Sequence, residues 1–276
     1  MTAFVIDIRR DKLSVAADTC GYLVGEVIKP VGFVSKVLAI PHLRAVLFGR
    51  GITAIGYRVG FDLMVSPQLQ TIEAAAEALP GMLRRITEQY ADEQGIEDHR
   101  EIQIFEAAFG GYSERDKRAK LWTMYNYNGE YQPEEFPEGA YGTVVMPVLP
   151  AEFALPPAAA ALPLDKRMVA GMQAAKRYFE ANGAAIVGGE VQITEATAAG
   201  VACRTVARFP DYAETANASA AVAARFLRGE DDIDVRDGLV AVADCITADG
   251  GAAPVGNRAD RRRAEKLARQ AGKRAA

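Results

Sequence analysis

Cysteine and histidine are scarce in this chain. Its 276 residues include three cysteines and two histidines. Cys20, Cys203 and Cys245 form no C-x-x-C pair, which excludes the common zinc-knuckle spacings. So sparse and odd a set also argues against a disulfide framework and for a reducing compartment. His42 and His99 lie far apart, so a histidine-based metal site or a Ser-His-Asp triad has little material. His42 follows Pro41 and reads as a loop residue. No apolar run reaches the roughly 18 uninterrupted residues of a membrane span. The start has charges directly after a short apolar run, so no signal peptide is expected. No G-x-G-x-x-G or P-loop motif follows a strand, and neither a nucleotide cofactor nor a metal is expected. Net charge is −4, which offers no general attraction to nucleic acid.

What is present is ordinary globular material, 50% hydrophobic and 25% charged, arranged in blocks. Residues 3–8 are β-branched and aromatic, 9–12 are polar, and 13–17 are apolar again, which predicts a hairpin at the N-terminus. Gly21 and Gly25 flank a short third segment. Residues 36–40 and 44–48 make a second strand pair around Pro41-His42-Leu43. Apolar runs this continuous suit strands covered on both faces. Residues 51–65 and 71–93 read as helices, with Pro80 expected to kink or break the second. Strands are expected at 101–108, 120–127 and 141–147, and a loop or linker at 147–163. A helix follows at 164–182, then a hairpin from 190–195 and 201–209. Residues 212–227 read as an alanine-rich helix, and a short strand is expected near 239–243. Strand runs separated by helix runs suggest antiparallel sheets covered by helices, an α+β arrangement rather than a Rossmann alternation.

The chemistry starts at residue 2. Removal of Met1 would leave Thr2 with its hydroxyl and a free α-amine on one residue. An unperturbed α-amine has a pKa of about 7.7–8.0, so it can be neutral near neutral pH and accept the hydroxyl proton. That makes an activated nucleophile with its base built in. The competing reading is an ordinary Met-Thr start with no catalytic part.

The stretch from Thr2 through Asp18 resembles the opening of the proteasome β-subunit and HslV-type family of N-terminal nucleophile (Ntn) hydrolases. In that family the nucleophilic threonine begins a strand, and the following strand ends in Ala-x-Asp at the same separation. Asp18 matches that aspartate. Ser35-Lys36-Val37-Leu38-Ala39-Ile40 resembles the segment bearing the family's lysine; Lys36 is the best match and Lys29 the rival. Arg44-Ala-Val-Leu-Phe-Gly49-Arg-Gly51 is similar to the strand and glycine turn whose backbone N–H faces the oxyanion. Gly49 is the candidate and Gly51 the alternative. A lysine beside the nucleophile would depress the amine by like-charge repulsion and stabilise a developing alkoxide, and an aspartate would hold that lysine. An ordinary strand-end ion pair and a plain strand-to-helix turn are the structural alternatives. The resemblance is best over the first 65 or so residues. It continues through Gly110-Gly111-Tyr112, 121–127 and Val187-Gly188-Gly189-Glu190.

The resemblance implies a four-layer αββα sandwich of two antiparallel sheets, assembly into a homo-oligomer, and a peptide or amide substrate. It also has departures. Thr143 stands where the family has a serine supporting the amine, and Ala184 and Val187 stand where it has an aspartate and a serine. Two functions therefore remain open: a threonine peptidase or amidohydrolase using Thr2, Asp18, Lys36 and Gly49, or a catalytically idle structural or assembly protein of the same fold. The expected organisation is an Ntn-like domain at 1–210, a helical extension at 211–249 and a basic tail at 250–276. The tail carries Arg258, Arg261, Arg262, Arg263, Lys266, Arg269, Lys273 and Arg274. It reads either as a solvated end or as a tether to nucleic acid or an acidic partner. With no aromatic residue between the arginines, contacts to nucleic acid would go to phosphate. Such ends resemble those of phage virion and assembly proteins, so the expected location is cytoplasmic or virion-associated.

Overall fold

A computed structural model describes residues 3–23, 29–97, 106–127, 130–139, 141–184 and 186–227. The N-terminal hairpin is β1 (Phe4–Ile8) and β2 (Lys12–Asp18), closed by a bond from the Arg9 amide to the Lys12 carbonyl at 2.9 Å. It is followed by β3 (Cys20–Leu23), β4 (Lys29–Phe33), β5 (Val37–Ile40) and β6 (Ala45–Arg50). Two helices come next, α1 (Thr53–Met64) and α2 (Ile72–Gln94). The second half contains β7 (Glu106–Ser113), β8 (Arg118–Tyr127), β9 (Glu130–Glu135), β10 (Gly142–Met146), α3 (Leu164–Ala181), β11 (Glu190–Thr197), β12 (Gly200–Arg208) and α4 (Tyr212–Leu227).

These strands make two five-stranded sheets, ordered β10-β1-β2-β11-β12 and β5-β6-β7-β8-β9, and a β3-β4 ribbon. Every pairing among the described residues is antiparallel. Side chains alternate across a strand, and here both faces of the central strands find apolar neighbours. On β1, Phe4 and Ile6 meet Val46, Phe48, Ala108 and Leu121 between the two sheets, with the Phe4 and Phe48 rings 5.0 Å apart. Val5, one residue out of phase, turns instead to Met168, Met172 and Phe179 of α3. On β6, Leu47 faces Ile55, Val59 and Leu63 of α1 and Leu79 and Leu83 of α2. Each such side chain contributes about 1.5–3 kcal/mol on burial. This double burial is why the strands read as continuous apolar runs; the chain has mixed helix and sheet content with several antiparallel sheets, compatible with a sandwich fold.

Four expectations change. Pro80 does not break α2, which runs unbroken through it. The helix is secured at its start by the Thr71 hydroxyl, which accepts the Ala74 amide at 3.1 Å, and along its length by burial of Leu79, Leu83 and Ile86. Strand β9 was not foreseen, since Pro133 and its acidic residues give little strand signal; it is the edge of its sheet, where a proline is tolerated. Strand β4, likewise unforeseen, pairs only with β3 among the described residues. The 147–163 segment includes a short 3-10 turn at Pro157–Ala161, tied to α3 by Arg167, which donates to the Ala160 and Leu162 carbonyls, both at 3.1 Å.

Helix α4 packs on the β3-β4 ribbon. Its Ser219 lies against Gly32, and its Thr215 hydroxyl bonds the Cys20 sulfur at 3.3 Å. The strand expected near 239–243, the rest of the 211–249 extension and the basic tail lie outside the described residues, as do the first five residues of the strand expected at 101–108.

Candidate active site

Strand β2 delivers Asp18 to the end of its sheet, opposite Val191 of β11. The next residue clamps the two strands. Thr19 donates its amide to the Glu190 carbonyl at 3.0 Å and accepts the Glu190 amide on its hydroxyl at 2.9 Å. The Thr19 carbonyl also accepts the Val34 amide at 2.7 Å, which draws the segment before β5 back over Asp18. Lys36 sits in that segment. Its Nζ lies 2.7 Å from Asp18 Oδ2, with side-chain exposures of 9% and 0%.

Asp18 Oδ2 also accepts the Gly188 amide at 3.2 Å, whereas buried Oδ1 has no hydrogen-bond partner among the described residues. Burial pushes the Asp18 carboxyl above its ordinary range; Lys36 and the Gly188 amide pull back only part of that shift. The Tyr22 ring covers the pair from one side, its centroid 6.0 Å from Lys36 Nζ, and burial drives the Tyr22 hydroxyl far upward.

Gly49 lies near the end of β6, paired with Ala107. It is one residue beyond the last β5–β6 pair, Val37 with Phe48, so no residue of β5 stands opposite it. A Cβ at this position would collide with the Glu106 carbonyl, so close approach of β7 alone requires glycine. Lys36 and Gly49 line one pocket, together with Ser35, Gly51, Ile52 and Tyr57. Tyr57 donates its hydroxyl to the Ser35 carbonyl at 2.5 Å and closes one wall.

The expected residues thus divide. Asp18, Lys36 and Gly49 come together at one end of the sheets. Thr2 lies outside the described residues; its neighbour Ala3 is the first described and is fully buried. Lys29 opens β4, paired with Leu23, while the cation on Asp18 is Lys36. Gly51 has φ of 118°, so it needs glycine for its own backbone.

Thr143 is not near this pair. It stands opposite Asp7 and donates to its carboxylate at 2.5 Å, three positions along β1 from Phe4. Val187 is buried among apolar side chains, and Ala184 packs at the edge of the same cluster. The sequence reading missed the Gly188 amide, because a backbone donor leaves no mark in residue type. His42 is exposed in its turn, and His99 is outside the described residues. Among the described residues, no group of three or more His, Cys, Asp or Glu could hold a metal. No described helix is long and apolar enough to cross a membrane.

No protein-family model and no curated protein matches the chain. Among solved structures, it is similar to the Anbu (Gly-1) mutant from Hyphomicrobium sp. strain MC1. Identity is 17%, the match covers 84% of this chain and 98% of that one, and the TM-score is 0.49.

Proposed function

We propose that this chain is a four-layer αββα Ntn-type hydrolase that cleaves a peptide or amide bond with Thr2, exposed by removal of Met1. The observation that carries the reading is the buried Lys36–Asp18 pair, 2.7 Å apart, whose lysine lines the same pocket as Gly49. Taking two charges out of water is costly, and a folded chain gains little from it in stability. A fixed ammonium beside an amine and a hydroxyl, in contrast, is useful chemistry.

In this reading the neutral α-amine of Thr2 takes the hydroxyl proton as Oγ attacks the substrate carbonyl. The carbonyl π electrons move to oxygen, and the backbone N–H of Gly49 meets that oxyanion. Lys36 disfavours protonation of the neighbouring amine and stabilises the negative oxygen; Asp18 holds Lys36 in place. The intermediate collapses with loss of the leaving amine, which takes the proton. Water then cleaves the resulting ester and regenerates Thr2. Leu38, Leu47 and Ile52 in the pocket wall favour an apolar substrate side chain. Self-assembly into an oligomer belongs to the same reading.

A second reading has its own support. Thr143 is engaged by Asp7, and Ala184 and Val187 have no polar side chain to offer. A catalytically idle member of the fold, used for assembly, would show these losses. Intact mass decides the first step: a retained Met1 blocks the amine and eliminates the hydrolase. If Met1 is gone, a threonine-directed electrophile is expected to label the protein, and Thr2→Ala is expected to abolish labelling.

A further inference from the structure

The Gly188 amide reaches Asp18 because the Val187-Gly188-Gly189 segment is held from behind. Lys176, on α3, donates its Nζ to the Val187 carbonyl at 2.8 Å and to Asp211 Oδ2 at 3.0 Å. Asp211 Oδ1 accepts the Gly189 amide at 3.1 Å. The segment is therefore gripped on its carbonyl side by a cation and on its amide side by a carboxylate, and the two grips are themselves paired.

Both glycines are required by this arrangement. A Cβ at Gly188 would collide with Asp211 Oδ2, and Gly189 has φ of 73°. The Gly189 carbonyl is occupied as well, accepting the Phe209 amide at 2.8 Å. Lys176 is only 14% exposed; it also pairs with Glu180 at 3.1 Å and lies 5.5 Å from the Phe209 ring. Burial works against its charge, but Asp211 and Glu180 outweigh burial and hold the ammonium above its ordinary range.

Asp211 stands just before α4, where its carbonyl accepts the Thr215 amide at 3.1 Å. An aspartate here commonly caps its own helix with its side chain. This one sends its carboxylate across to another part of the fold.

We propose that Lys176 and Asp211 are positioning residues: they fix the Gly188 N–H on Asp18 and, through it, the orientation of the Asp18–Lys36 pair. Its catalytic consequence rests on the hydrolase reading above. Backbone support then takes over where Ala184 and Val187 offer no side-chain donor or acceptor. The aspartate and lysine come from distant points of the chain and meet only at this turn.

The test uses the full chain labelled with ¹⁵N-glycine. In the unaltered protein, Asp18→Asn is expected to shift the Gly188 amide proton, because it changes the acceptor. In Asp211→Ala that response is expected to disappear, and the Gly188 amide to exchange with solvent roughly tenfold faster. Asp211→Asn keeps an oxygen for the Gly189 amide and is expected to restore most of the response, which also guards against an Ala variant that fails to fold.

Labelling of Thr2 is expected to slow by about 10- to 100-fold in Asp211→Ala and Lys176→Met, and by less in Asp211→Asn. A Gly188 response unchanged in Asp211→Ala overturns the proposal. So does an unchanged labelling rate where the parent protein is labelled. If the parent is not labelled at all, the hydrolase reading fails, and the amide signal still decides whether Lys176 and Asp211 orient Asp18.

Discussion

Replacing Lys36 by methionine removes the cation from the buried pair and keeps most of the aliphatic stem. Among the described residues, Asp18 is then left with a single hydrogen-bond partner, the Gly188 amide, for two buried oxygens. Breaking a buried ion pair in this one-sided way costs about 3–5 kcal/mol at pH 7. For a domain of this size, that corresponds to a melting temperature lower by roughly 6–20 °C. The penalty has a pH signature. Burial already raises the Asp18 carboxyl, and loss of Lys36 raises it further. The folded state then holds its proton more tightly than the unfolded chain, whose aspartate titrates at about 3.9. Folded-state stability is therefore retained below that value and lost as pH rises toward the folded-state pKa, by up to about 1.4 kcal/mol per unit. Urea unfolding at pH 4, 5.5 and 7 is expected to show a gap from the parent protein that is smallest at pH 4 and widest at pH 7. The double variant Asp18→Leu/Lys36→Met removes both charges and is expected to recover most of the loss. A Lys36→Met penalty under about 1 kcal/mol at pH 7, or one that does not vary with pH, would refute the burial argument. Full recovery in the double variant, with labelling of Thr2 abolished, would mean that the pair is kept for chemistry and not for stability.

Three further outcomes follow from the geometry. Gly49→Ala forces β6 away from the Glu106 carbonyl and is expected to cost roughly 1–3 kcal/mol in urea unfolding, with loss of labelling. Asp7→Asn tests the opposite sign of titration. Burial alone would raise the Asp7 carboxyl, but Arg9, Thr143 and Arg167 together hold it below the ordinary range. Its contribution is therefore present above about pH 3.9 and lost as pH falls through the lower folded-state value, so the Asp7→Asn penalty is expected to be large at pH 7 and to shrink in acid. Pro80→Ala restores an amide donor inside α2 and is expected to stabilise the protein by about 1–3 kcal/mol, read as a higher melting temperature.

Much of the fold was legible because its strands announce themselves. Residues 3–8 and 13–17, Asp7 and Ser14 apart, are apolar on both sides of the strand, and both sides are buried. Helices α1, α3 and α4 appear within a few residues of their expected bounds, since their apolar residues recur at helical spacing. Strand β9 and the intact α2 were illegible for one reason: a proline carries a local penalty, and only the surrounding contacts determine whether that penalty prevails. At the site, Asp18 and Lys36 were expected from the resemblance, with Lys29 as a rival to Lys36, and their ion pair depends on the Thr19–Val34 bond that folds one segment over the other. Gly188, Lys176 and Asp211 carried no such signal. The continuous apolar runs of the strands and the helical spacing of the helices, and the placing of one acid, one lysine and one glycine turn near the N-terminus, were determined by the sequence itself, because they depend on neighbours along the chain. Which lysine meets Asp18, where Thr143 spends its hydroxyl, and how a turn near residue 188 is held by residues 176 and 211 were decided only by tertiary structure, because each depends on groups that become neighbours after the sheets have packed.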